Sequence, residues 1–237
     1  MDVLVEPART AAVSSHLARC GWVLETDFAA GSPFEHAATW RHPVWGYLDV
    51  HRWWPGIEID PARAFDLLWA ARHDRQFAGV GCAVPAVVDQ RIILLLNAAR
   101  AGAHARPQDL ERSWRGLTRT EQQEVRARIG QFRAEPAFAV TQGGLERYRR
   151  RRSYRLWRAV GEPTSRTAEW CARVYAADGL TARARLIARA VLVNRQHLEV
   201  LAGRPLNRRE LATAQWRRML AGGREITKAT ARIGRRP

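Results

Sequence analysis

The hydrophobic pattern of this chain changes period once, near Pro85, and that change limits the fold more than any other feature. Before it, apolar residues come in short alternating runs bounded by Gly and Pro, the mark of half-buried strands. After it, they recur at three- and four-residue spacing to the end, as in amphipathic helices. The expected architecture is therefore α+β: a partial sheet with flanking helices, then a mainly helical C-terminal part. Residues 1–84 make the α/β part, 85–223 a helical domain and 224–237 a basic tail. With 237 residues, 46% of them hydrophobic, the chain is long enough to bury a core.

Val3-Leu4-Val5 reads as a buried strand, and Glu6-Pro7 opens a helix that Gly21 closes. A second strand follows at Trp22-Val23-Leu24, then a loop over 26–33. Two antiparallel strands are expected at 36–41 and 44–52. In the second, Trp45, Tyr47, Asp49 and His51 share one face, while Val44, Gly46, Leu48 and Val50 share the other. Asp49 is thus presented from a sheet face beside aromatics, near the strand end. Asp60-Pro61 caps a helix running to about His73, and 77–84 is a short strand-like stretch. The helix at 85–100 carries the apolar run Ile92-Ile93-Leu94-Leu95-Leu96 and reads as the central buried helix. Further helices are expected at 107–115, 118–134, 144–160, 165–177, 181–202 and 207–221.

That apolar run falls far short of the roughly 20 residues of a membrane-crossing helix, so no membrane partner is expected. Asp2 and Glu6 stand where a signal peptide would carry bases. Cys20, Cys82 and Cys171 are widely spaced and form no CxxC pair, which points to a reducing cytoplasm. The net charge of +16 lies wholly in residues 143–237, which hold 23 bases against 7 acids, whereas 1–142 balance at 16 of each. Such asymmetry suits an anionic partner for the C-terminal part. It also suits a GC-rich coding sequence, since 38 of the 39 bases are Arg and one is Lys228. The run from Arg147 to Arg158 interleaves arginines with Tyr148, Tyr154 and Trp157, a composition that grips phosphates and stacks on bases. Read as one helix, it places Leu145, Tyr148, Arg152 and Leu156 on a single packed stripe with solvated arginines outside.

Asp2-Val3-Leu4-Val5, the helix after it, Cys20-Gly21-Trp22, and Leu48-Asp49-Val50-His51-Arg52-Trp53 together resemble the uncharacterised nucleotidyltransferase family of bacteria. Pro85-Ala86-Val87-Val88-Asp89-Gln90 leading into Leu94-Leu95-Leu96-Asn97-Ala98-Ala99-Arg100 is similar to that family's helical segment. The resemblance implies a core like that of DNA polymerase β and Mg²⁺-dependent transfer of a nucleotidyl group from an NTP, ATP above all, to an unidentified acceptor. It implies that Asp2 and Asp49 are catalytic and metal-binding, as the second and third acids of the motif, and that His51 and Arg52 contact the nucleotide. The family's first acid and its Gly-Ser turn would fall before Met1. On this resemblance the chain starts inside its own metal-binding motif, through a late start assignment or a true truncation. It would then bind Mg²⁺·NTP weakly or not at all, with the Met1 amino group adding positive charge beside Asp2.

The chemistry explains why such acids are needed. Mg²⁺ takes near-octahedral oxygen ligands, usually one or two carboxylates completed by phosphates and water. It neutralises the charge of a phosphoryl group in transit and of the departing pyrophosphate. His51 is expected to support Asp49 or to pack on Trp53. A zinc site built from His36, His42, Asp49 and His51 has suitable ligand types but no fixed ligand spacing. Trp40, Trp45, Trp53 and Trp54 read as core or cleft wall, or as platforms for a base. A function from a different class is a non-catalytic basic module that binds nucleic acid or an acidic partner through residues 143–237.

Overall fold

The computed structural model describes residues 1–29, 34–161, 166–177 and 179–233, and the chain is an α+β protein. It divides into two compact units, Met1–Glu162 and Pro163–Pro237. The boundary expected at 84/85 falls inside the first unit, where Leu4, Trp54 and Leu68 pack in one cluster with side chains from beyond residue 85.

The first unit opens with β1 (Asp2–Leu4), α1 (Thr10–Arg19), β2 (Val23–Thr26), β3 (Ala37–His42) and β4 (Gly46–His51). They form a four-stranded sheet in the order β1-β4-β3-β2. β1 runs parallel to β4, with Asp2 opposite Asp49, Val3 opposite Val50 and Leu4 opposite His51. β3 pairs antiparallel with both β2 and β4. Alternation along these strands separates two faces. Ala38, Trp40, Leu48 and Val50 are buried on one face, where Val3, Val5, Leu17 and Trp22 pack against them. Asp2, Leu4, Thr39, Asp49 and His51 fall on the other. The loop expected over 26–33 lies, for residues 30–33, outside the described residues.

α2 (Pro61–Ala70) starts as its sequence demands. The Asp60 carboxylate accepts from the Ala62 and Arg63 amides, and Pro61 sits in the first turn. It stops three residues short of the expected His73. The next element is a hairpin, β5 (His73–Phe77) and β6 (Val80–Val84), in place of one broken stretch at 77–84. Ala78 and Gly79, at φ 49° and 81°, form its two-residue turn. His73-Asp74-Arg75-Gln76 is polar throughout, so no alternation betrayed the strand.

α3 (Val87–Ala101) is the central helix, with Ile92, Leu95, Leu96 and Ala99 sealed from solvent. Around it lie α4 (Pro107–Leu110), which continues into one π-helical turn at Glu111–Arg115, then α5 (Arg119–Phe132), α6 (Glu135–Gln142) and α7 (Tyr154–Gly161). The core joins Trp54 and Leu68 to those α3 side chains and to Trp114, Val125, Ile129, Phe132 and Trp157. α6 falls between the helices expected at 118–134 and 144–160. Arg133, in the left-handed conformation at φ 53°, ends α5 and lets the chain turn into α6. The helix expected over 144–160 is broken too: a short turn at Leu145–Tyr148 precedes α7, which begins only at Tyr154. Like-charge neighbours at i,i+4, Arg147/Arg151 and Arg151/Arg155, disfavour a continuous helix there.

The second unit contains α8 (Arg166–Ala176), α9 (Gly179–Val191), α10 (Arg195–Ala202) and α11 (Arg208–Ile233). The single helix expected over 181–202 is therefore two. α11 caps the break: Gln215 accepts from the Val193 amide and donates to the Val191 carbonyl, and Arg218 donates twice to the Ala190 carbonyl. Residues 224–233 of the expected tail belong to α11, and 234–237 lie outside the described residues. Among the described residues, no helix is long and apolar enough to cross a membrane.

Candidate functional site

The sheet face turned away from α1 carries a polar row across three strands. Asp2, Asp49 and Thr39 stand opposite one another in β1, β4 and β3. Register partners on neighbouring strands project from the same face, so the two carboxylates share one surface. Each is held by a neutral donor. Thr39 Oγ1 donates to Asp49 Oδ1 at 2.6 Å, and His51 Nε2 lies 2.9 Å from Asp2 Oδ1. The Asp2 side chain is 62% exposed, whereas His51 is buried.

Two histidines and an arginine close the inner side. The His36 and His51 rings are 5.2 Å apart, and His51 stacks on Trp54 at 4.5 Å. Arg100, at the C-terminal end of α3, reaches His36 Nε2 at 2.6 Å and donates to Asn97 Oδ1 at 2.6 Å. A guanidinium only donates, so His36 Nε2 accepts and that imidazole is neutral. Burial, then the charge of Arg100, pushes the His36 pKa down to about 3. Burial also lowers the His51 pKa, against the pull of its bond to Asp2 and of the Asp2 and Asp49 charges. A neutral His51 that donates through Nε2–H leaves Nδ1 as an acceptor. That atom, Trp54 Nε1 and Arg100 Nε are buried with no hydrogen-bond partner among the described residues. Asp2 works against the burial that lowers the Arg100 pKa, so cation and acid sense each other. The site is thus a carboxylate pair, exposed at Asp2 and half-buried at Asp49, backed by neutral imidazoles and one half-buried cation.

The remaining expected site residues occupy other settings. His51 supports Asp2 and stacks on Trp54, where the sequence pointed to Asp49 and Trp53. Arg52, next in the chain, is held elsewhere: its guanidinium lies over Trp53 and Phe28, and Nε donates to the Glu35 carbonyl at 2.9 Å. The Met1 ammonium donates to the Tyr47 carbonyl. The zinc arrangement does not form. His42 sits at the far end of β3, where its Nδ1 accepts from the Val44 and Trp45 amides. Among the described residues, no three His, Cys, Asp or Glu side chains are grouped to hold a metal. Trp40 and Trp54 are core, Trp53 underlies Arg52, and Trp45 is exposed. Of the aromatics between Arg147 and Arg158, Trp157 is core and Tyr154 is buried with its hydroxyl on Glu146, so neither is a platform for a base.

Sequence reasoning missed Thr39, Asn97 and Arg100. Thr39 is found only through the β3–β4 register. Arg100 is separated from Asp2 by most of the first unit, and no spacing rule links them. Comparison of the chain with protein-family models, with curated proteins and with solved structures finds no match.

Proposed function

We propose that this chain is a nucleotidyltransferase of the bacterial family it resembles, transferring a nucleotidyl group from an NTP, with Mg²⁺, to an acceptor. The observation that carries this reading is the parallel register of Asp2 and Asp49 on the open sheet face. The donor set fits the ion in kind: two carboxylates, each steadied by a neutral group, keep their full charge for a hard cation that phosphates and water complete. Bound there, Mg²⁺ would supply charge neutralisation for the transferring phosphoryl group and the pyrophosphate. His51 orients Asp2 and Thr39 orients Asp49, so both carboxylates are preorganised. Arg100, half-buried behind them, adds a positive charge close to Asp2. Three separated cysteines, all free, suit a reducing cytoplasm as the setting.

The test is Mg²⁺-dependent release of pyrophosphate from each NTP by the full chain, assayed at millimolar nucleotide because two carboxylates bind weakly. The expected result is release that Asp49→Asn abolishes. No release, or release unchanged by Asp49→Asn, overturns the reading.

A second reading is a basic module binding nucleic acid or an acidic partner through residues 143–237. One observation favours it: the unit Pro163–Pro237 carries 16 bases against 5 acids, a net +11. A steep fall in affinity for a DNA or RNA oligonucleotide as salt rises supports it. Salt-independent binding, or none, removes it.

A further inference from the structure

The β5–β6 hairpin stands in solvent along most of its length, and its two edges are unlike. β5 is exposed at every residue, and in β6 only Cys82 and Val84 are half-buried. The two-residue turn makes Phe77 and Val80 the first hydrogen-bonded pair. Pairing alternates from there, so Arg75/Cys82 and His73/Val84 also exchange bonds within the hairpin. Asp74 and Gln76 on β5, and Gly81 and Ala83 on β6, therefore turn their backbone N–H and C=O groups outward. The β5 edge carries Asp74 and Arg75, the charges that keep free edges from pairing. The β6 edge, Val80-Gly81-Cys82-Ala83-Val84, carries none.

We propose that β6 pairs antiparallel with β6 of a second copy of this chain, joining two hairpins into one four-stranded sheet. The sequence of the strand selects this occupant, because it is nearly palindromic about Cys82. A two-fold axis through Cys82 sets Val80 opposite Val84 of the second copy and Gly81 opposite Ala83. In that register Gly81 and Ala83 of opposite copies exchange both their backbone bonds, using the groups the hairpin leaves outward. Val80 and Val84, on one face, gain a β-branched cross-strand pair. Charge opposes the pairing, since two chains of net +16 repel, and the uncharged β6 edge is where their backbones can meet at least cost. Such an edge covers less than the roughly 1,200 Å² of a standard interface, so the dimer is weak and concentration-dependent.

The register also fixes the readout. Cys82 faces Cys82 as a non-hydrogen-bonded pair with Cα atoms about 4.5 Å apart. That lies within the roughly 4.4–6.8 Å a disulfide spans. The experiment uses the full chain with Cys20→Ser and Cys171→Ser, subjected to light scattering across concentration and to oxidation with diamide. The expected results are a mass rising toward twice 26.9 kDa and a Cys82–Cys82 cross-link. Ala83→Pro, which removes an outward amide and no hairpin bond, abolishes both. Val80→Lys, which leaves the backbone untouched, does the same, so the test stands even where the proline variant misfolds. A chain monomeric at every concentration with no cross-link overturns the proposal. So does a dimer that Val80→Lys leaves intact.

Discussion

The first unit holds carboxylates in two opposite ways. Asp89, on α3, is sealed from solvent, and both its oxygens are taken by the Arg128 guanidinium, at 2.7 and 3.0 Å. Arg128 is fixed in turn by the Leu67 carbonyl and Gln131, and it lies over Phe132. That acid is neutralised by a charge and ties α3 to α2 and α5. Asp2 and Asp49 are held by an imidazole and a hydroxyl, which orient without neutralising. A carboxylate locked in a guanidinium fork is architecture, whereas a pair steadied by neutral donors at an open face keeps its charge for a cation.

The sharpest way to break this contrast is Arg128→Met. It leaves Asp89 buried without its partner and is expected to cost about 3–5 kcal/mol in urea unfolding. A loss below about 1 kcal/mol would place Asp89 among the open acids. Acid comes next, because the open side is backed by buried neutral histidines. A histidine whose folded pKa is depressed contributes stability that is complete above its unfolded value and is lost as pH falls below it. For His36 the loss runs from about 6.5 down to about 3, and His51 adds to it in the same direction. Unfolding free energy should therefore decline from pH 7 to pH 4, and His36→Gln should flatten that decline. An equal slope in wild type and variant contradicts the assignment. Asp49→Asn keeps an oxygen for Thr39, so it should change stability by no more than about 1 kcal/mol. Asp2→Asn, at a largely exposed side chain, should stay within about 0.5 kcal/mol. A cost from either that matches Arg128→Met would show that the open pair is structural.

Much of the sheet was legible because one face of it is dry. Leu48 and Val50 alternate with Tyr47, Asp49 and His51, and that period alone put Asp49 on the polar face. Its pairing with Asp2 followed from the resemblance of the two strand motifs. The partners of the acids were not legible. Whether His51 reaches Asp2 or Asp49 depends on the parallel register, and Arg100 arrives from α3, far along the chain. Asp89 sat in a segment quoted for the same resemblance, and nothing local separates a sealed acid from an open one, since Arg128 lies on another helix. Of the hairpin at 73–84, β6 lay within the strand-like stretch expected at 77–84, whereas β5 escaped because His73-Asp74-Arg75-Gln76 is polar and exposed throughout and leaves no apolar period to read. The break at 149–153 escaped because the stripe of Leu145, Tyr148, Arg152 and Leu156 spans it at helical spacing, and the break at 192–194 because Leu192 and Val193 carry the apolar pattern through it.

The most direct test of the open acid pair is Mn²⁺-induced line broadening in amide NMR spectra of the full chain with ATP. The account expects broadening centred on Asp2, Asp49 and His51, absent around Asp89 and lost in Asp49→Asn. Broadening centred elsewhere, or undiminished in Asp49→Asn, would contradict it.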